Sequence, residues 1–226
     1  MRSSSFSRRA FFQSGAATLA CVATGCGRQD VEKGKPPMWK ALYDSLEHEK
    51  CEEGREPVTC SDAALETCEA ALAFRLPTSY RLFMKTFGPG EIFDYFKIYG
   101  PGFPPGHPSR DGLDLTARAE WRKRIAGDSF KYYDDPALAA RVITFCSTLD
   151  GHNFGWDPLE KPSETEFGSE SSIYAVPRLD NDMPRVAKSF KEFIVDFCQN
   201  GRDSEVFGGK PWQPDKKFRP FCQAIT

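Results

Sequence analysis

The chain has 226 residues, with 30 Lys and Arg against 32 Asp and Glu and a formal net charge of −2. A nucleic-acid-binding role is excluded by this balance, because such proteins need a basic face and no Lys/Arg cluster interleaved with aromatic residues occurs. The 19 Phe and the aromatic fraction of 13% favour a folded core over disorder.

The first 27 residues carry a targeting pattern. The pair Arg8-Arg9, followed by Phe11 and Phe12, resembles a twin-arginine export signal. The weakly apolar segment that follows, residues 15–23, is too short to span a bilayer as a stable helix. We therefore expect export by the twin-arginine (Tat) pathway.

The end of this segment indicates a lipid anchor. Residues 23–27 read Ala-Thr-Gly-Cys-Gly, which is similar to the lipobox of bacterial lipoproteins. In that family the cysteine takes a diacylglycerol and becomes the new N-terminus, so the body of the protein is held at a membrane by lipid. The resemblance implies a signal peptide over 1–25 and lipidation at Cys26, with Cys21 as the alternative site. It places the protein outside the cytoplasm, anchored to a cell membrane.

Six further cysteines fit an exported chain, because an even number outside the cytoplasm can pair. They are Cys51, Cys60, Cys68, Cys146, Cys198 and Cys222. We expect either a Cys51–Cys60 disulfide or a disulfide from one of these two to Cys222. The other three are also explained as small buried hydrophobic residues. No metal site is expected, since no C-x-x-C occurs and the three His are scattered.

The body of the chain divides by composition and apolar spacing. Residues 26–37 are polar, end in a Pro pair and read as a flexible tether. Helical spacing predicts helices over 38–47, 61–73, 78–87, 114–126 and 190–200. Alternation and apolar runs predict strands over 91–99, 141–149, 152–157 and 171–178, with a hairpin turn at Asp150-Gly151. An interruption of the first of these strands at Asp94-Tyr95 is the alternative. Between them lie a Gly/Pro loop over 100–112, a polar loop over 158–170, and a Pro- and charge-rich tail over 202–226.

Two helices, then strands with a hairpin, then a closing helix indicate an α+β fold with a mixed or antiparallel sheet packed against helices. A doubly wound fold is not expected, because the strands do not alternate regularly with helices. The predicted domain runs from 38 to 201, including an N-terminal extension.

Four motifs in this order resemble the SUKH superfamily, the Smi/Knr-like domains. They are Leu76-Pro77-x-x-Tyr80-x-x-Phe83-x-x-x-Phe87-Gly88-x-Gly90, Ile143-Thr144-Phe145 with Asp150-Gly151, Gly155-Trp156-Asp157, and Ile173-Tyr174 with Ser189-Phe190-x-x-Phe193-Ile194. The resemblance covers roughly residues 60–201 and implies an α+β binding fold without catalytic machinery. Many bacterial members are immunity proteins that neutralise toxins, and fungal relatives regulate cell-wall synthesis. The export signal, the long 100–140 segment and the cysteines depart from the family pattern.

The candidate partner-binding residues are Asp150, Trp156, Asp157 and Glu160. A Trp beside an acid at a sheet edge can anchor a partner, and the acidic run over 150–170 can attract a basic one. The alternatives are that Trp156 belongs to the core and that the acidic run is a solvated loop. Tyr80, Phe83, Phe190 and Phe193 are expected in the core.

No catalytic residue is assigned. The chain contains no G-x-S-x-G, H-E-x-x-H or Walker-type loop, and a cysteine hydrolase would need Cys146 beside His152 across the hairpin. We therefore expect a non-enzymatic, cofactor-free lipoprotein that binds a protein and no small-molecule substrate, with a toxin domain as the candidate partner. The other hypothesis is an envelope structural or scaffolding lipoprotein involved in cell-wall regulation.

Overall fold

The elements of the fold are taken from a computed structural model, which describes residues 37–104, 106–107, 110–125, 128–202, 206–207 and 213–224. The helices are α1 (Pro37–Ser45), α2 (Asp62–Leu72), α3 (Thr78–Thr86), α4 (Arg110–Leu113), α5 (Leu115–Ile125), α6 (Pro136–Arg141) and α7 (Phe190–Glu192), with a 3₁₀ turn at Asp128–Phe130 and a π-helix at Phe193–Cys198. The strands are β1 (Glu47–His48), β2 (Arg55–Pro57), β3 (Gly90–Ile92), β4 (Phe96–Ile98), β5 (Ile143–Thr148), β6 (Asn153–Trp156), β7 (Ser163–Thr165), β8 (Gly168–Glu170), β9 (Ile173–Val176), β10 (Arg185–Ala187), β11 (Lys217–Pro220) and β12 (Cys222–Ala224).

The predicted signal peptide, Cys21, Cys26 and nearly all of the predicted tether lie outside the described residues. Within the described part of the chain, no helix has the length and apolar character that crossing a bilayer requires.

One eight-stranded sheet organises the molecule. Its strand order is β1-β11-β3-β4-β5-β6-β9-β10. The β1–β11 pair is parallel, and the other described pairs of this sheet are antiparallel. The predicted α+β class with a mixed, largely antiparallel sheet is therefore confirmed.

The main core is an aromatic layer between the sheet and helices α1, α3 and α7. Tyr80 and Phe83 lie three positions apart on α3, so both face the sheet, and both are fully buried. Tyr80 packs edge-to-face on Phe190 at 5.1 Å between ring centroids, and its hydroxyl donates to the Tyr99 carbonyl at 2.6 Å. Phe193 is also fully buried. The prediction that these motif residues form the core is confirmed.

The closing helix begins where the sequence predicts it but does not remain α-helical. The Ser189 hydroxyl accepts from the Glu192 amide at 3.1 Å, which satisfies one of the free N–H groups at the helix start. After Glu192 the helix widens into the π-helix, where the Gln199 amide donates to the Ile194 carbonyl at 3.1 Å. This change leaves Phe193 and Phe197 stacked at 5.5 Å. Apolar spacing alone cannot distinguish the two helix types.

The expectation of a tail outside the domain over 202–226 is wrong for its described C-terminal part. Strand β11 lies inside the sheet between β1 and β3, and β12 pairs with β2. Phe218 of β11 is buried against Phe87, at 5.0 Å between ring centroids. These pairings join residues more than a hundred positions apart, which no local pattern reveals.

The disulfide links the two flanks of the domain, namely the N-terminal segment that carries β1 and β2 and the C-terminal segment that carries β11 and β12. Cys51 is bonded to Cys222, with Cα atoms 5.9 Å apart and 171 positions between them in sequence. The alternative Cys51–Cys60 pairing is not formed: Cys60 is a buried thiol, placed beside the Pro101 carbonyl at 2.9 Å. Burial raises its pKa to about 12, so it stays protonated. Cys68, Cys146 and Cys198 are buried as well.

Three further segments differ from the sequence prediction. Residues 91–99 form a hairpin rather than one strand, because Phe93 and Asp94 both adopt positive φ and reverse the chain. The polar loop over 158–170 contains the β7–β8 hairpin. Strand β10 was not predicted, since residues 185–187 are too few for a visible alternation.

Candidate functional site: an arginine cleft with an apolar rim

Trp156, predicted as a partner anchor, lies in the core instead. It is fully buried and stacks on Phe145 at 4.2 Å between ring centroids. Tyr80 of α3 packs against its other side at 5.0 Å. Because β6 lies inside the sheet, the side chains on the helix-facing side of this strand are covered. Trp156 is therefore unavailable to a partner.

The three acidic candidates do not form one surface. Asp157 is nearly buried and is held by Arg141 through two hydrogen bonds of 2.8 and 2.7 Å. Glu160 is half-buried and accepts from the Ser172 hydroxyl at 2.8 Å. Asp150 is exposed and accepts from the Tyr95 hydroxyl at 2.7 Å. Asp150 and Asp157 also flank opposite ends of β6, so the strand separates them by roughly 13 Å.

The feature of the surface that fits recognition is a cleft of about 230 Å³ between α5, the chain around Tyr132 and the β6 and β9 strand ends. Its charged lining consists of Arg118, Arg122 and Arg178. Its aromatic lining includes Trp121, Phe130, Tyr132 and Tyr133. We call this region the arginine cleft. Its α5 and Tyr132 side belongs to the 100–140 segment that sets the chain apart from the usual family pattern.

Arg118 is held in place by aromatic rings. Its guanidinium carbon lies 4.8 Å from the centroid of the Tyr99 ring and 5.2 Å from that of Trp121. The Trp121 contact follows from the helix, because residues i and i+3 are neighbours on one face. Nη2 of Arg118 donates to Asn153 Oδ1 at 3.3 Å. Two cation–π contacts and a neutral hydrogen bond therefore fix this cation.

Arg122 is buried, and no described carboxylate supplies its counter-charge. It is 5% exposed, and its Nη2 donates to the Ala139 carbonyl at 2.5 Å while its guanidinium lies 4.7 Å from the Phe130 ring centroid. Its Nε has no hydrogen-bond partner within the described part of the chain. Desolvation, with a further contribution from neighbouring Arg118, lowers its pKa to about 10, so the side chain remains cationic at neutral pH.

No carboxylate of the described residues balances these cations. Among the side chains that the structure describes, none is ion-paired with Arg118, Arg122 or Arg178. Other arginines of the chain do have such partners: Arg219 bonds Glu49 at 2.7 Å and contacts Glu91 at 3.2 Å. An isolated cation in a partly desolvated site is unusual, since buried charges are normally paired.

An apolar rim surrounds the cleft. Among the described residues, the exposed large hydrophobic side chains are Trp121, Tyr132, Leu149, Leu159 and Leu179. Trp121 and Tyr132, 40% and 49% exposed, line the cleft itself. Leu179 follows Arg178 directly and Leu149 stands two positions before the cleft residue Gly151, so their Cα atoms lie within about 8 Å of cleft residues. Two of the five exposed hydrophobic residues thus line the cleft, and two more lie close to cleft residues in the chain.

A small second core supports this region. It consists of Phe130, Tyr133, Leu138, Ala139, Val142, Val176 and Met183. The Tyr133 hydroxyl donates to the Pro177 carbonyl at 2.7 Å, which connects the segment before α6 to the end of β9. Asp135 caps α6 by accepting from the Leu138 amide at 2.8 Å. The cleft is therefore built on packed elements rather than on a free loop.

The sequence predicted helix α5 but not the cleft. The available signal was Arg122 itself, because it occupies the position seven residues after the buried Leu115, on the face predicted to be apolar. The remaining cleft residues come from distant segments and meet only through the β6–β9 pairing.

The Cys146–His152 pair does not have the properties of a hydrolase centre. Burial raises the pKa of the Cys146 thiol well above its ordinary value, which disfavours the thiolate that a nucleophile needs. The His152 ring stacks on Phe207 at 3.7 Å, and its Nδ1 accepts from the Arg178 amide at 3.2 Å. No cluster of His, Cys, Asp or Glu suited to a metal ion occurs among the described residues.

The fold and this surface define an α+β recognition domain. Comparison with protein families makes the class specific: the model of the SMI1 / KNR4 family (SUKH-1) matches residues 59–196, and the chain belongs to this family. SUKH domains typically bind a protein partner and commonly serve as immunity proteins. No curated protein matches the chain. The arginine cleft lies within the matched range, whereas β1, β2, β11, β12 and the disulfide lie outside it.

Proposed function

We propose that this protein is a membrane-anchored lipoprotein whose SUKH domain binds and neutralises a toxin that acts in the cell envelope. The observation that carries the proposal is that the exposed side chains of Trp121 and Tyr132 line the arginine cleft. Trp, Tyr and Arg are the residue types that dominate binding energy at protein interfaces.

Two features support the proposed location. The lipobox-like residues around Cys26 follow a twin-arginine pattern, which fits export and lipid anchoring. The Cys51–Cys222 disulfide fits an oxidising compartment outside the cytoplasm. A toxin partner in the envelope is consistent with both features and with the immunity role common in the family.

The test is rescue from a toxin. Each secreted toxin domain encoded near this gene is directed to the envelope of a sensitive host, with or without the full-length chain. Rescue of growth by the chain is expected, since it would occupy the toxin where the toxin acts. A Cys26→Ser chain, which keeps the domain but loses the lipidation site, is the matched control and should protect less. Partner capture without any rescue would favour an envelope scaffolding role in cell-wall regulation.

A further inference from the structure

The arginine cleft presents positive charge for which the described residues supply no counter-ion. Arg118, Arg122 and Arg178 all line it, and none is ion-paired with a described carboxylate. Among the described residues, the buried Nε atoms of Arg118 and Arg122 also lack a hydrogen-bond partner. Since an unpaired charge in a partly desolvated site costs free energy, an anion entering the cleft would stabilise these guanidinium groups by its charge.

The geometry also fixes where that anion would bind. Arg118 lies against Tyr99 and Trp121 and is tied to Asn153, so its guanidinium has already lost much of its rotational freedom. A planar guanidinium binds a carboxylate through two parallel hydrogen bonds, and pre-organisation reduces the entropy lost on binding. The rim residues Trp121 and Tyr132 offer apolar surface beside it.

From this arrangement we infer that the cleft receives an Asp or Glu side chain from an acidic, partly apolar segment of the partner protein. The carboxylate pairs with Arg118, while Arg122 and Arg178 stabilise it by their charge. An apolar side chain of the same segment packs on Trp121 or Tyr132. This inference rests on the proposed role in protein binding and names the chemistry of the partner.

A protein segment fits the cleft better than a membrane surface does. Arg122 is recessed, with 5% of its surface exposed, and Arg118 is half-buried. A flat bilayer attracts protruding basic side chains, whereas a recessed guanidinium requires a group that enters the cleft. A volume of about 230 Å³ accommodates one inserted side chain.

The test measures peptide binding by NMR on the chain from residue 26 to residue 226. The side-chain Nε–H signals of Arg118 and Arg122 are followed while a short peptide alternating Glu and Leu is added at low salt. We expect saturable shifts of both signals and weaker binding as salt is raised, because salt screens charge pairs. The Gln/Leu peptide, equal in length and without charge, should produce no such shifts.

Matched variants test the residues. Arg118→Gln should lower the affinity for the Glu/Leu peptide by about tenfold. Arg118→Lys should keep only part of the affinity, because lysine lacks the planar guanidinium. Arg75→Gln removes the same charge from an exposed arginine outside the cleft and should leave binding unchanged. Thermal unfolding of each variant verifies its fold, and Arg178→Gln replaces Arg118→Gln if the latter unfolds.

Three binding results would overturn the inference. They are Nε–H signals that stay unmoved by the Glu/Leu peptide, sodium acetate that binds as tightly as the peptide, and anionic lipid vesicles that shift the signals when the peptide does not. A toxin that is neutralised equally well by Arg118→Gln would overturn the inference and leave the proposed function standing. Peptide binding without any toxin rescue would leave the cleft chemistry standing and remove the proposed function.

Discussion

At the scale of single residues, the acidic groups of this domain serve the fold in two opposite ways. Glu170 is buried between the starts of two helices, where it accepts from the Ser79 amide and hydroxyl at 2.7 Å each and from the Phe190 amide at 3.4 Å. Burial nevertheless raises its pKa. The protein therefore loses stability as the pH rises from the ordinary glutamate pKa through the raised pKa of the folded state, because Glu170 then ionises. The pKa of Asp157 shifts in the opposite direction, because the hydrogen bonds from Arg141 lower it.

The lowered pKa of Asp157 predicts how stability depends on this carboxylate and on pH. Asp157→Asn should lower the free energy of unfolding at neutral pH by about 1.5–3 kcal/mol, since Arg141 loses a charged acceptor. The difference from the wild type should be complete above the ordinary aspartate pKa of about 3.9. It should disappear as the pH falls through the lowered pKa of the folded state. Urea unfolding across this pH range measures both effects.

The control is Glu164→Gln, which removes an equal charge from an exposed side chain without an ion pair among the described residues. Its free energy of unfolding should stay close to that of the wild type. An equal loss in both variants, or a loss at Asp157→Asn that does not change with pH, would contradict the account.

At the scale of elements, the two flanks of the family domain form one unit. Strand β11 covers the edge of β3, β1 pairs with β11, and the Cys51–Cys222 bond joins the segment after β1 to the start of β12. Arg219 strengthens this edge by contacting Glu49, Glu91 and Asp94. The flanks therefore protect a sheet edge that would otherwise be open to pairing with another chain.

The disulfide prediction belongs to this unit. Cys51→Ser combined with Cys222→Ser should lower the free energy of unfolding by about 2–5 kcal/mol, because the bond closes a long loop and restricts the unfolded chain. Thermal or urea unfolding measures the change. Reduced wild-type protein should unfold at the same midpoint as the double variant. A double variant as stable as the oxidised wild type would show that the bond contributes nothing.

The elements also show what the sequence reveals and what it does not. Helix α3 and the β5–β6 hairpin are readable because their apolar spacing and turn residues lie within short segments. Strand β11 is not, since its partners β1 and β3 lie far away in sequence. The same reason hides the arginine cleft, which needs Arg118 and Arg178 brought together across the sheet. Trp156 was ambiguous because a Trp beside an acid fits both a core and an anchor.

At the scale of the whole molecule, the proposed anchor determines where the cleft operates. With lipid on Cys26, the chain from residue 27 to the start of α1 at Pro37 would separate the domain from the membrane. Ten extended residues reach about 35 Å at most. The domain could then meet partners within a narrow layer beside the bilayer.

The anchoring prediction concerns processing. Wild-type protein should fractionate with membranes and have an intact mass that begins at a lipidated Cys26. Cys26→Ser should move to the soluble fraction because the thiol that receives the lipid is gone. Cys21→Ser is the matched control and should remain in the membrane fraction. Loss of anchoring with Cys21→Ser, but not with Cys26→Ser, would assign the lipid to the other cysteine.

The central claim is that the partner binds at the arginine cleft. Hydrogen exchange, measured on the domain alone and in complex with a toxin domain from which it rescues growth, tests this most directly. The account predicts slower exchange over α5, around Tyr132 and at the segments that carry Leu149 and Leu179. It predicts no change at β1, β2 and β12. Protection confined to those flank strands, with α5 unchanged, would contradict it.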